Sequence, residues 1–110
     1  MEEIATRYLF LDLTIRNLEL DIEVIMSSQL KIKEPYFKLV TNAIIKAKSE
    51  RRKLHKLMYG KNIKVKFLYK DGQFSHYKFY LGGKSEEVIY FNPVIKKNVE
   101  EIMREFLEHP

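Results

Sequence analysis

The chain has 110 residues and a net charge of +5, and 45% of its residues are hydrophobic. This length allows one modest core, and the hydrophobic fraction is typical of a globular chain. The absence of cysteine excludes disulfides and thiolate metal sites, and it fits a reducing cytoplasm, where we expect the protein to work. The most apolar run, residues 8–15, is too short to span a membrane, and the acidic N-terminus is unlike a secretory signal. We therefore expect no membrane partner.

Charge is distributed unevenly along the chain. Residues 1–30 hold six acidic and two basic side chains, a net of −4, and residues 85–110 hold six acidic and three basic ones, a net of −3. Between them, residues 31–84 hold fifteen basic and three acidic side chains, a net of +12. A segment with that charge attracts anions such as nucleic acid. Any binding surface is therefore expected in the middle of the chain, and the acidic ends compete for it.

Seven apolar side chains predict a long first helix. Their spacing alternates between four and three residues, which makes one continuous seam on a helix from about residue 2 to 27. The same region also alternates apolar and polar side chains, as a β-hairpin over residues 8–25 would. That alternative needs a tight turn at Arg16-Asn17, which lacks the glycine such turns favour, so we prefer the helix and keep the hairpin open. The seam consists of Ile4, Tyr8, Leu11, Ile15, Leu18, Ile22 and Ile25.

A second helix is predicted from about residue 35 to 59. Pro35 suits its first turn, and Gly60 is placed to end it. Two long helices with a short connection most simply form an antiparallel helical hairpin. The predicted buried stripe of the second helix is Phe37, Val40, Ile44, Ala47, Leu54 and Met58.

The rest of the chain predicts a small sheet and a last helix. Because the apolar period changes to two, strands are expected over about residues 62–70, 74–81 and 87–91. Asn92-Pro93 then opens a helix over about residues 93–108. The predicted fold is a single α+β domain over residues 1–110, in which an N-terminal helical hairpin precedes a three-stranded antiparallel meander, and the C-terminal helix packs on the sheet.

The pairing of the first two strands follows from which side chains must share a face. A two-residue Asp-Gly loop would mix the apolar and polar faces. A three-residue loop, Asp71-Gly72-Gln73, keeps them apart. It predicts the pairs Ile63 with Leu81, Val65 with Phe79, and Phe67 with Tyr77.

The polar face of this hairpin is the first candidate binding surface. The expected register sets Lys64 opposite Tyr80 and Lys66 opposite Lys78, with Leu68 opposite His76. Lysines pair with phosphates and aromatic rings stack on bases, so the face resembles a generic platform for single-stranded nucleic acid. The lysines could instead protect an exposed sheet from edge association, or an acidic helix could cover them. The candidate residues are Lys64, Lys66, Lys70, Lys78 and Tyr80.

The second candidate is a basic stripe at the end of the second helix. Its residues are Lys48, Arg52, Lys53 and Lys56, which fall opposite the predicted apolar stripe. Cations near a helix C-terminus are also favoured by the helix dipole, so a simple solvated face explains much of this pattern. A further alternative is internal, because the acidic first helix could pair with these cations.

No catalytic constellation is visible. The three histidines, His55, His76 and His109, stand singly, without the spacing of a triad or a metal site. We expect no enzymatic activity, metal, cofactor or small-molecule substrate. The leading hypothesis is a binding protein whose basic central segment contacts nucleic acid or another polyanion. The alternative is a protein–protein adaptor or homo-oligomeric regulatory protein, held together by the seam of the first helix and without a nucleic-acid role.

Overall fold

The computed structural model describes residues 1–108, and it has the predicted α+β architecture. Two long helices precede a three-stranded antiparallel sheet with the strand order β1-β2-β3, and a third helix ends the described part of the chain. The elements are α1 (Glu2–Ser27), α2 (Glu34–Gly60), β1 (Ile63–Asp71), β2 (Phe74–Leu81), β3 (Lys84–Phe91) and α3 (Asn92–Glu108).

Helices α1 and α2 form an antiparallel hairpin, so the β-hairpin alternative for residues 8–25 is wrong. Leu18 packs with Val40 and Ala43 near one end of the pair, and Ile15 packs with Ala47 further along. The central seam residues of α1 are buried, because they contact α2 and α3 of the same chain. The central part of the seam is therefore occupied within the chain.

Helix α1 is buried over a wider arc than its seam predicts. The additional residues are Ala5, Leu9, Phe10 and Thr14. The cause is its central place in the fold, since α1 contacts α2, α3 and the first two strands. In α2 the predicted stripe holds except at its start, where Phe37 is exposed and belongs to none of the hydrophobic clusters found within residues 1–108.

The strand register is as predicted over most of the first hairpin and differs near its turn. Ile63 pairs with Leu81 and Phe67 with Tyr77, but the register then shifts by one residue at Leu68. A β-bulge accounts for this shift. One extra residue in β1 bends the strand, and the side chains of β1 that follow it lie on the face opposite to the predicted one. As a result the loop has two residues, Gly72-Gln73, where a three-residue loop was predicted.

Strand β3 is longer than predicted because the second turn is tight. The turn uses only Gly82 and Gly83, so β3 begins at Lys84. Gly82 has a φ of 68°, a conformation that two-residue hairpin turns with a leading glycine use. The whole length of β2 is therefore paired on both sides.

All three helices lie on one side of the sheet. In the main cluster Ala5, Leu9 and Met58 from the helices pack against Ile63 and Phe79 from the strands. We call the side with Ile63 and Phe79 the inner face and the opposite side the outer face. Within residues 1–108, the hydrophobic clusters join the helices to inner-face strand residues alone.

Arg7 links the three helices through one guanidinium group. Its Nε and Nη2 atoms donate to the two carboxylate oxygens of Glu50 on α2, at 2.6 and 3.0 Å. Its Nη1 and Nη2 atoms donate to the carboxylate of Glu105 on α3, at 3.1 and 3.0 Å. The hydrogen bonds to Glu50, and secondarily those to Glu105, raise the pKa of Arg7 against the opposing effect of burial.

Candidate polyanion-binding surface

The outer face of the sheet carries four of the five residues of the first candidate surface. Lys64 pairs with Tyr80, and Lys66 pairs with Lys78, as predicted. Lys64 and Lys66 are exposed, whereas Lys78 and Tyr80 are half-buried between neighbouring strands. The Nζ atom of Lys78 lies 5.5 Å from the centre of the Tyr80 ring, a cation–π contact. We call Lys64, Lys66, Lys78 and Tyr80 the lysine face.

Lys70 does not belong to this face. Because the bulge at Leu68 reverses the alternation, Lys70 pairs with Ser75, whose buried hydroxyl donates to Asn92 Oδ1 at 2.6 Å. Lys70 instead lines a hollow on the inner face together with Tyr77. The prediction that groups Lys70 with Lys64 and Lys66 is therefore wrong, and the local cause is one inserted residue.

An acidic residue stands beside the paired lysines. β3 sets Glu87 opposite Lys78, so the row Lys66–Lys78–Glu87 crosses the sheet with one compensating charge. Glu87 Oε1 is also 2.8 Å from His76 Nδ1. The mutual repulsion of Lys66 and Lys78 across the strands is thus relieved in part by the carboxylate of Glu87.

His76 is held by contacts that sequence reasoning missed. Its ring stacks on Tyr69 with 4.2 Å between centroids, and its Nε2 atom lies 4.0 Å from Asp71 Oδ2. In the sequence Glu87 is eleven residues from His76, and Asp71 and Tyr69 come next to the imidazole ring only because of the bulge. The histidine was expected to stand alone. With these contacts His76 is 8% exposed, although it lies on the outer face.

Beyond His76 the outer face becomes aromatic. Phe74 and Phe91 are partners across β2 and β3, with ring centroids 5.5 Å apart, and both are more than one-third exposed. Ile89 beside them is also exposed. The outer face therefore has a cationic end and an apolar end. In the sequence, the apolar end is indicated by Phe74, the first residue of β2, and Phe91, the last residue of β3.

Part of the charge on α2 is compensated by α1. Lys48 Nζ lies 3.5 Å from Glu19 Oε2, and Arg51 Nη1 lies 2.7 Å from Asp12 Oδ1. In contrast, Arg52, Lys53 and Lys56 are exposed, and no carboxylate of residues 1–108 comes within 4.0 Å of them. Of the predicted stripe, only Lys48 is thus neutralised by an internal pair.

None of the helices in residues 1–108 combines the length and the apolar character that crossing a membrane requires. In the same part of the chain, no three His, Asp or Glu side chains converge as metal ligands. His109, which was also expected to stand alone, lies outside the described residues.

Comparison with known proteins identifies relatives. A family model described as YhjD protein matches residues 1–110. A protein of Bacillus subtilis (strain 168) with the name "Uncharacterized protein YhjD" is 30% identical over 108 residues, which cover 98% of this chain and 90% of that relative. No solved structure matches the chain significantly.

Proposed function

The chain belongs to the YhjD family, and we propose that it is a non-enzymatic cytoplasmic protein whose lysine face binds nucleic acid or another polyanion. The observation that carries this proposal is the open outer face of the sheet. Lys64 and Lys66 are exposed there, while the helices pack against the inner face. Such a face offers a ligand both cations and aromatic rings without rearrangement of the fold.

The pairing of the acidic helices supports the same proposal. The acids of α1 were the natural competitors for the lysine face. Asp12 and Glu19 instead contact Arg51 and Lys48 of α2. Glu105 of α3 contacts Arg7. The acid nearest to the lysine face is Glu87, which shares its carboxylate with His76. Three lysines around one carboxylate leave an excess of positive charge for an anionic ligand.

Removing the lysine face tests the proposal. In a fluorescence-anisotropy titration of labelled single-stranded DNA, duplex DNA and polyphosphate, the variant with Lys64→Ala, Lys66→Ala and Lys78→Ala should bind about tenfold more weakly than the wild type. The slope of log K against log salt for single strands should fall in magnitude by about 2, because each lost phosphate contact removes about 0.7.

A second triple variant is the matched control. Lys31→Ala, Lys46→Ala and Lys97→Ala remove the same charge from exposed positions of α2, α3 and the helix connection. This variant should bind almost as the wild type does. Equal weakening in the two variants would mean that net charge alone matters, and a wild type that binds none of the three ligands at low salt would end the proposal.

Self-association is a second candidate function, and exposed apolar side chains at the far end of the helical hairpin favour it. These residues are Leu20, Val24, Met26, Leu30, Ile32, Tyr36 and Leu39. A concentration of exposed apolar side chains in one part of a fold is typical of protein-interaction sites. The surface differs from the α1 seam, which is buried within the chain. Sedimentation should then show a dimer that forms with concentration, and a monomer throughout the micromolar range would argue against it.

A further inference from the structure

We propose that the ligand is single-stranded nucleic acid, and that it runs from the end of α2 onto the lysine face with bases stacked on Tyr59 and Tyr80. This inference rests on the proposed function and deepens it, since it names the ligand class and a path. The path begins with Tyr59, in the last turn of α2, whose side chain is 87% exposed. This ring is the most exposed large apolar side chain among residues 1–108.

Two adjoining hollows connect Tyr59 with the lysine face. The first, about 460 Å³, is lined by Tyr59, His55 and Lys64 among others. The second, about 560 Å³, lies between Lys64, Lys66 and Tyr80. Both are lined by Asn62 and Lys64, so they share a border, and no acidic side chain lines either of them. The last turn of α2 and the lysine face thus adjoin at the start of β1, which the sequence did not indicate.

The shared border of the hollows is held rigidly. Asn62 has a φ of 56°, which a non-glycine residue adopts with strain and asparagine tolerates best. Its side-chain amide donates to the carbonyl of Gly82 at 3.3 Å, and the Gly82 amide donates to the Asn62 carbonyl at 3.1 Å. The link between α2 and β1 is therefore tied by its backbone and by the Asn62 side chain to the turn between β2 and β3.

Cations continue the path along α2. Lys56 precedes Tyr59 by three residues and Arg52 precedes Lys56 by four, and such residues are neighbours on a helix surface. Both are exposed and lack a carboxylate partner within 4.0 Å in the described chain. From Arg52 to Lys66 the surface thus presents cations in turn with two tyrosine rings, of which Tyr59 is exposed and Tyr80 is half-buried.

This alternation discriminates among polyanions. Lysine and arginine suit any phosphate chain, whereas an exposed tyrosine ring adds affinity only when the ligand has bases free to stack. In a duplex the bases are already stacked on one another, so the rings gain nothing there. Stacking on tyrosine also works with every base, so we expect little sequence preference.

An anisotropy titration with three labelled probes tests this inference: oligo(dT), an abasic oligonucleotide of equal length, and duplex DNA. The variant with Tyr59→Ala and Tyr80→Ala should bind oligo(dT) at least about tenfold more weakly than the wild type, while its affinity for the abasic probe should not change. Tyr59→Phe should retain binding, because the ring is kept. Tyr36→Ala, at an exposed tyrosine in the first turn of α2, is the matched control and should bind as the wild type does.

The outcomes separate this inference from the proposed function. If the abasic probe binds as tightly as oligo(dT), or if the double tyrosine variant binds oligo(dT) unchanged, the stacking path is wrong, while polyanion binding by the lysine face stands. If the wild type prefers the duplex, the ligand class is wrong. If it binds no probe and no polyphosphate, both proposals fall. A Tyr59→Ala single variant guards against misfolding, since this exposed ring contributes little to the core.

Discussion

Single backbone positions determine where the candidate surface ends. Gly82 begins the turn between β2 and β3 with a φ of 68°, and its amide and carbonyl both bond to Asn62. Gly83, the next residue, does not have a positive φ. A methyl group at either glycine would make no close contact. At Gly82 its nearest neighbour would be Met1 Cε, at 3.8 Å. Gly82 and Gly83 therefore differ in backbone conformation, whereas both positions have room for a methyl group.

Alanine at these two glycines should accordingly have unequal effects. Gly82→Ala should lower the free energy of unfolding by about 1–2 kcal/mol, because an L-residue is strained at positive φ. Gly83→Ala should change it by no more than about 0.5 kcal/mol, as surface substitutions usually do. Urea denaturation of both variants measures the difference. Equal losses would show that the turn does not depend on the left-handed conformation of Gly82.

At the scale of elements, Arg7 joins all three helices. Its two bidentate contacts reach Glu50 on α2 and Glu105 on α3, and its side chain is 31% exposed. Bidentate arginine–carboxylate pairs are the strong class of ion pair, and partial burial shields this one from solvent. Without the guanidinium, two carboxylates would face each other across the helix interface. The network therefore connects α3 to both helices of the hairpin.

Removal of this guanidinium should destabilise the packing of α3. Arg7→Ala should lower the free energy of unfolding by about 1 kcal/mol, because it removes the partner of two carboxylates that are 36% and 53% exposed and that water solvates in part. Arg16→Ala is the matched control. Arg16 is 71% exposed, and its partner Asp12 also contacts Arg51, so Asp12 keeps one cation when Arg16 is removed. Its loss should cost about 0.5 kcal/mol or less. Chemical denaturation of both variants decides this, and similar losses would contradict a special role for Arg7.

At the scale of the whole molecule, the layer between sheet and helices contains two tyrosines. Tyr77 lies on β2 and Tyr90 on β3, with their ring centroids 6.0 Å apart on the inner face. Burial raises the pKa of both phenols above the ordinary value of 10.0. In the folded chain they therefore keep their protons at a pH where the unfolded chain loses them.

This difference predicts alkaline destabilisation. Because the folded state binds more protons, the stability that the two tyrosines contribute is fully present below pH 10.0 and is lost as the pH rises through their folded pKa. The variant with Tyr77→Phe and Tyr90→Phe should lose stability less steeply above pH 10 than the wild type. Tyr36→Phe with Tyr59→Phe, at exposed positions, should follow the wild type. Denaturant titrations at several alkaline pH values measure these slopes, and parallel slopes for all three proteins would refute the prediction.

Local patterns were enough to predict most of the elements. The four–three spacing of the α1 seam, the alternation from Ile63 to Phe67 and the Asn92-Pro93 helix start are each set by neighbouring residues. Helix and strand periods follow from local backbone geometry, so they can be read without knowledge of the partners. The pairs Lys64 with Tyr80 and Lys66 with Lys78 followed as well, because the apolar face left only one register.

Tertiary structure alone decided which surfaces remain open. The bulge at Leu68 moves Lys70 to the inner face. It is needed because the core residues keep their predicted register while the turn has only two residues. Neither the core register nor the short turn requires a bulge by itself. The acids of α1 could have faced the sheet or α2, and long-range packing directed them to α2. The approach of Tyr59 to the lysine face likewise depends on the link between Asn62 and Gly82. Sequence therefore determined the net charge of +12 in residues 31–84, and the fold determined how much of it is exposed, because burial is the sum of contacts between residues distant in the chain.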